Sequence, residues 1–291
     1  GRPTDATHRP MTQVLHTRAE LRAALADVPR PVGLVPTMGW LHEGHRSLMR
    51  RARAADATTV ATIFVNPRQF DQASDYTGYP RDTEADIAVC EAEGIDIVWI
   101  PEVEEVYPAG FDTTVSVGAV AQPLEGAARP GHFDGVVTVV AILFAAVGAE
   151  HAYFGQKDAQ QVMVIRRMAL DLALPTEVIP CPTVRELDGL ALSSRNVHLS
   201  PEERAAAPVL RRALAAAVKA YDEGEREGVV LRGLMEETLA IEPLAQVEYV
   251  SVADALTLEE LQRIKGPALF SMAVVFGTTR LIDNELVGMK E

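Results

Sequence analysis

Along the first two thirds of the chain, short apolar runs of strand type alternate with longer stretches of helical composition. Val32 to Val35 is a short apolar run ended by Pro36, and Gly44 to Ala55 has helical composition. Thr58 to Val65 (TTVATIFV) is β-branched and largely apolar, as a strand covered on both faces should be. Asp82 to Glu93 then reads as an amphipathic helix, Ile95 to Ile100 as a strand, Gly135 to Val147 as a buried helix, His151 to Phe154 as a strand and Asp158 to Leu172 as a helix. This alternation predicts an α/β fold with a Rossmann-like, doubly wound parallel sheet and right-handed crossovers. Beyond Pro175 the texture changes. Helical stretches at Pro201 to Asp222 and Val229 to Ile241 flank an acidic, Gly-containing turn, and strand-like Val247 to Ala253, Ala268 to Phe276 and Leu281 to Asp283 follow without helices between them. The expected organisation is a domain at 11–177 and a smaller α+β domain at 178–291.

The length of 291 residues suits one large or two modest domains, and 48% hydrophobic with 23% charged residues excludes a mainly disordered chain. The net charge of −14 is evenly spread: 15 basic residues face 22 acidic ones up to Pro175, and 12 face 19 after it. Such a surface repels a phosphate backbone, so nucleic acid is not an expected partner, although a local cluster of donors can still hold a small anion. The longest apolar run, Val136 to Val147, is too short for a membrane span and reads as a core helix. Cys90 and Cys181 are too few for a disulfide framework and read as buried free thiols in a reducing cytoplasm. The ten residues GRPTDATHRP ahead of Met11 lack the charged-then-apolar order of a signal peptide and read as a tag remnant or loose leader.

Four segments could carry chemistry. Pro36 to His45 (PTMGWLHEGH) leaves a strand and opens a helix, with His42 and His45 expected on one face of the first helical turn, beside unpaired backbone N–H groups suited to a phosphate. The same spacing also fits a plain surface pair, and it is one residue short of the zinc-protease pattern. Phe64 to Phe70 (FVNPRQF) puts Asn66 and Gln69 past a strand end, where open α/β sheets bind ligands, though Asn-Pro alone is a turn. Phe154 to Gln161 (FGQKDAQQ) carries Lys157, Asp158 and Gln161 into a helix, where an Asp is most often a cap. Thr183 to Asn196 (TVRELDGLALSSRN) ends in two hydroxyls and an Arg, either an oxyanion grip or an ordinary loop.

Taken together, in this order and spacing, the four segments resemble the pantothenate synthetase (pantoate–β-alanine ligase) family, and the resemblance covers the chain from about Met11 onward. The His42-x-x-His45 piece alone is similar to the HIGH-type signature of the wider nucleotidylyltransferase superfamily; the other three segments narrow it. The resemblance implies ATP-dependent condensation of pantoate with β-alanine through pantoyl adenylate, releasing pyrophosphate and AMP, with Mg²⁺ accompanying ATP and with a cytoplasmic homodimer. A carboxylate attacking a polyphosphate requires positive charge and donors at phosphorus, and His42, His45, Lys157, Arg195 and Mg²⁺ are the groups matching that need.

Carried over residue by residue, the resemblance implies that His42, His45 and the Met38 backbone contact phosphates, and that Lys157 bridges toward the α-phosphate and leaving group. Ser193, Ser194 and Arg195 would hold the β- and γ-phosphates, Gly155 and Asp158 the ribose, and the backbone at Val184 and Leu192 the adenine. Gln69 and Gln161 would hold pantoate. Tyr79 and Arg129 match positions near the site. Two residues depart from the family pattern: Trp40, where a small residue is common, and Leu192, where Met is usual; Trp40 is expected to alter packing at the pocket mouth. Two competing readings are a nucleotidylyltransferase that keeps its nucleotide conjugate, which leaves Gln69 and Gln161 without a role, and an inactive nucleotide-binding scaffold, which does not account for the full set of donors.

Overall fold

A computed structural model describes residues 11–289; the leader read ahead of Met11 lies outside them. Six strands form one sheet: β1 (Gln13–Leu15), β2 (Val32–Thr37), β3 (Thr58–Ile63), β4 (Ile97–Trp99), β5 (His151–Gly155) and β6 (Glu177–Cys181). Their order is β1-β4-β3-β2-β5-β6, and every pairing is parallel. β3 is buried at all of its positions, as its unbroken apolar and β-branched sequence requires. The helices cover both faces. Leu34, Val60 and Trp99 point into one core with the helices His132–Val147 and Ala159–Asp171, while Val35, Ala61 and Val98 point into another with Glu43–Ala55 and Thr83–Ala92. The apolar run Val136 to Val147 forms the buried helix expected of it, stopped at Gly148, whose φ of +62° is the left-handed conformation glycine adopts cheaply.

β2 lies between β3 and β5, so the chain winds outward in opposite directions from this pair. Ligands of open α/β sheets bind in the crevice beyond the strand ends at such a reversal. The segments after β2 and β5 are PTMGWLHEGH and FGQKDAQQ, two of the four singled out from sequence.

The second sheet is antiparallel, with β7 (Gln246–Asp254), β8 (Ala268–Phe276) and β9 (Thr279–Val287) in that order. The helices Val209–Asp222 and Gly228–Ala240 pack on it through Leu210, Leu214, Leu231 and Met235. The expected helix from Pro201 to Asp222 is in fact two, Pro201–Ala206 and Val209–Asp222, because Pro208 has no N–H to continue the ladder. β1, the helix Arg18–Leu25 and β6 have no counterpart in the sequence reading. β1 is only three residues long, and β6 contains Pro180, which an edge strand tolerates. β6 runs across the expected boundary at 177/178.

Candidate active site

A cleft of about 250 Å³ opens at the ends of β2 and β5. It brings together Met38, His42, His45, Gln69, Gly155, Lys157, Asp158, Gln161, Val184, Leu192, Ser193 and Ser194, from all four segments. A second lobe of about 160 Å³ shares Met38, Gln69, Lys157, Asp158, Gln161 and both serines, and adds Arg129, Arg195 and Arg280. Trp40 is absent from the lining of either lobe, contrary to its expected place at the mouth.

The two histidines are adjacent but not arranged as expected. His42 is extended, with φ −133°, and is the N-cap of the helix Glu43–Ala55, not part of its first turn. Its Nδ1 accepts from the Gly44 N–H at 3.0 Å, and the Nδ1 of His45 accepts from the His42 N–H at 3.1 Å. Each ring therefore carries its proton on Nε2. Burial lowers the proton affinity of His42, helped by the nearby Lys157 ammonium; for His45, burial and then His42 bring the pKa to about 3. Both rings are neutral N–H donors, which corrects their expected contribution of positive charge. Cationic charge in the cleft comes from Lys157 and the arginines.

The loop ahead of His42 is held from below. Gly39 and Trp40 have φ of +79° and +53°, and the buried Asp86 carboxylate accepts from the Trp40 and Leu41 N–H groups, each at 2.9 Å. A Cβ at Gly39 would stand 2.7 Å from Asp86 Oδ2, so both space and φ call for glycine there.

Asn66 is 1% exposed, and all its bonding capacity goes to protein. It donates to Gln69 Oε1 and the Gly135 carbonyl, both at 3.0 Å, and accepts from the Tyr107 hydroxyl at 2.7 Å and the Arg68 N–H at 3.2 Å. It therefore clamps Gln69 and leaves the Gln69 amide nitrogen as the group to offer a ligand. Gln69 and Gln161 line the cleft together with apolar Val136, Val139, Val140 and Leu143.

Asp158 occupies the N-cap position of the helix Ala159–Asp171 without bonding to it, so the ordinary capping role does not apply. Leu192 N–H donates to the Val184 carbonyl at 3.0 Å, closing a hairpin that presents both residues to the cleft, and the Tyr79 hydroxyl lies 3.3 Å from Ser194 Oγ. Burial first, and then the charges of Arg129 and Arg280, make Arg195 easier to deprotonate than an ordinary guanidinium. Positive charge gathered this closely favours an anion. Arg280 is bound in turn by Glu125 at 2.5 and 2.7 Å and by Glu248 at 2.7 Å, and the Tyr249 hydroxyl donates to Glu125 at 2.7 Å. The sequence reading missed Asp86, His132, Glu125 and Arg280, each of which lies outside the four segments.

No group of three or more His, Cys, Asp or Glu side chains suited to a metal occurs among the described residues. Cys90 and Cys181 are free and buried, as expected, and no helix among the described residues is long and apolar enough to cross a membrane.

Residues 13–286 match the pantoate-beta-alanine ligase family. A pantothenate synthetase of Roseiflexus sp. (strain RS-1) is 58% identical over 272 residues, covering 94% of this chain and 98% of that protein. One of Chloroflexus aggregans is 58% identical over 277 residues, covering 94% and 99%. Among solved structures, a pantothenate synthetase from Thermus thermophilus superposes with a TM-score of 0.90 at 48% identity, covering 94% and 98%. A Francisella tularensis pantoate-beta-alanine ligase, described as complexed with Beta-gamma ATP and Beta-alanine, superposes with a TM-score of 0.79 at 30% identity, covering 96% and 99%.

Proposed function

Because this chain belongs to the pantoate–β-alanine ligase family, enzymes that join pantoate to β-alanine at the expense of ATP, we propose a division of its cleft between these substrates. ATP lies with its adenine at the Val184–Leu192 hairpin, its ribose at Gly155 and Asp158, and its β- and γ-phosphates in the arginine-lined lobe at Ser193, Ser194 and Arg195. The Nε2–H groups of His42 and His45, the Met38 backbone and Lys157 meet the α-phosphate. Pantoate lies between Gln69 and Gln161, its gem-dimethyl group on the wall of Val136, Val139 and Val140. Neutral amides hold the ligand without withdrawing charge from the carboxylate that has to attack.

In the first step a pantoate carboxylate oxygen bonds to the α-phosphorus and the bond to pyrophosphate breaks, giving pantoyl adenylate. In the second, the β-alanine amine attacks the acyl carbon, AMP departs and the amine loses a proton. Both steps build negative charge beside donors already in place, where fixed dipoles act most strongly. A Mg²⁺ ion brought with the nucleotide would be held mainly by phosphate oxygens and water, as this ion prefers, and would neutralise phosphate charge. Asp158, the one carboxylate among the residues lining the larger lobe, would be the protein carboxylate available there to such an ion.

The observation carrying this reading is the convergence of four separated segments on one cleft at the sheet's point of reversal. The outward face of the helix His132–Val147 supports a further proposal, a homodimer: a groove there of about 490 Å³ exposes Phe111, Val115, Ala141, Ile142 and Ala145 to a second copy. The buried, unpaired thiols agree with a cytoplasmic enzyme. The test is release of AMP and pyrophosphate from ATP with pantoate, with and without β-alanine. Pyrophosphate exchange with pantoate alone is expected; exchange that begins only when β-alanine is added would overturn the two-step reading.

A further inference from the structure

β9 reaches the walls of the cleft at three points. Arg280 meets Glu125, Asp283 binds Arg185 through two bonds of 2.7 and 2.9 Å, and Asn284 donates from Nδ2 to the carbonyls of Gln156 at 3.0 Å and Lys157 at 2.8 Å. The third contact differs from the others in gripping main chain, and the main chain it grips carries Lys157. Gln156–Asp158 is a single 3₁₀ turn, and Asp158 gives no side-chain cap to the helix beyond it. Within the turn, the Lys157 ammonium lies 4.0 Å from the Asp158 carboxylate. Asn284 itself is well fixed: it is 5% exposed, it stands opposite Ser271 in the antiparallel ladder, and its N–H donates to Asp283 Oδ1 at 2.8 Å. A lysine side chain has four rotatable bonds, so the protein controls the ammonium chiefly by fixing the backbone it springs from.

We propose that Asn284 is a positioning residue for the ligase reaction. By bonding two successive carbonyls it sets the turn from which Lys157 reaches the transferred phosphate, and so contributes to adenylation without itself touching substrate. This rests on the reading in which Lys157 meets the α-phosphate.

The test uses pyrophosphate exchange by the full-length enzyme with ATP and pantoate. Asn284→Asp keeps the shape but replaces the donor by an oxygen facing two carbonyls; Asn284→Ala removes the donor, and Asn284→Ser retains one. With rates normalised to folded protein, kcat should fall ~10–100-fold in the Asp and Ala variants, the scale for a misplaced catalytic group, and less in the Ser variant. KM and calorimetric Kd for ATP should stay within about threefold, because a kcat loss without a binding loss marks an interaction used in the transition state. Lys157→Ala should also be slow, and the double variant Lys157→Ala/Asn284→Asp no slower than Lys157→Ala alone. If the Asp variant does not fold, the Ser and Ala variants carry the same comparison. Normal kcat in folded Asn284 variants beside a slow Lys157→Ala overturns the positioning role alone, as does a loss confined to KM or an additive double variant. A Lys157→Ala enzyme with normal exchange overturns the underlying reading of Lys157.

Discussion

Asp86 lies under the loop that leads into His42, and its replacement should weaken both stability and adenylation. Its carboxylate accepts from two N–H groups, of Trp40 and Leu41, at 2.9 Å, and the residue is 4% exposed. In Asp86→Ala both donors lose their partner inside the protein. A buried unsatisfied group costs about 1–3 kcal/mol, so the pair sets a gross loss of roughly 2–6 kcal/mol. Two effects reduce it. Burial pushes the Asp86 pKa up, so removing the carboxylate returns part of its desolvation cost, and Trp40, held at a φ of +53° that disfavours a non-glycine residue by about 1–2 kcal/mol, is free to relax. The expected net loss is therefore about 2–3 kcal/mol, read by urea unfolding with linear extrapolation. Relaxation of Trp40 carries His42 with it, two residues on, and misplacement of a donor by about 1 Å can cost ~10²-fold in rate. Pyrophosphate exchange should accordingly fall ~10–100-fold. Asp86→Asn is the sharper variant, since it keeps the volume but turns an N–H donor toward one of the two loop N–H groups. An Asn variant within ~0.5 kcal/mol of the parent, with exchange within about threefold, would refute the idea that this carboxylate shapes the loop.

Gln69→Ala should lower kcat/KM for pantoate by roughly five- to two-hundred-fold, the worth of one buried hydrogen bond, with calorimetric ATP affinity within about threefold; equal loss of both would put Gln69 on the wrong ligand. His45 and His132 have folded-state pKa values of about 3 and about 4, both lowered mainly by burial. Below the unfolded value of about 6.5 the unfolded chain takes up protons that the folded chain refuses. The stability from their burial is thus complete above pH ~6.5 and is lost as pH falls toward 4, by up to ~1.4 kcal/mol per pH unit for each ring. Urea unfolding from pH 7 to 4.5 should show a shallower slope in His132→Gln, and an unchanged slope would contradict this. Arg280→Met strands the largely buried Glu125 carboxylate and should cost about 3–5 kcal/mol; adding Glu125→Met should recover most of that, and a double variant as unstable as the single would argue against the pair.

The winding of the first sheet was legible because its strands are apolar on both faces and its helices have a different period. The two-helix break at Pro208 was missed because Ala-rich sequence on both sides masks a single missing N–H. At the site, the residues found from sequence lie in contiguous segments at strand ends. Asp86 and Asn284 act from elsewhere by bonding backbone, and a lone Asp in a helix or Asn in a strand carries no local pattern to announce that. The histidine pair shows the limit from the other side: spacing put the rings together, but only the extended backbone at His42 shows that Nδ1 of each is already occupied.

The two cysteines both lie in the layer between the first sheet and the helices Glu43–Ala55 and Thr83–Ala92, Cys90 on the second of these helices and Cys181 at the end of β6. Burial raises both thiols, Cys90 to about 12, and since only the thiolate reacts, alkylating reagents must wait for that layer to open. The sequence after Cys181 contains no further cysteine, so the antiparallel sheet is invisible to such reagents. Pulsed thiol labelling of the unmodified enzyme, with and without ATP, therefore times the breathing of that layer by itself, a built-in clock for local opening that requires no introduced probe.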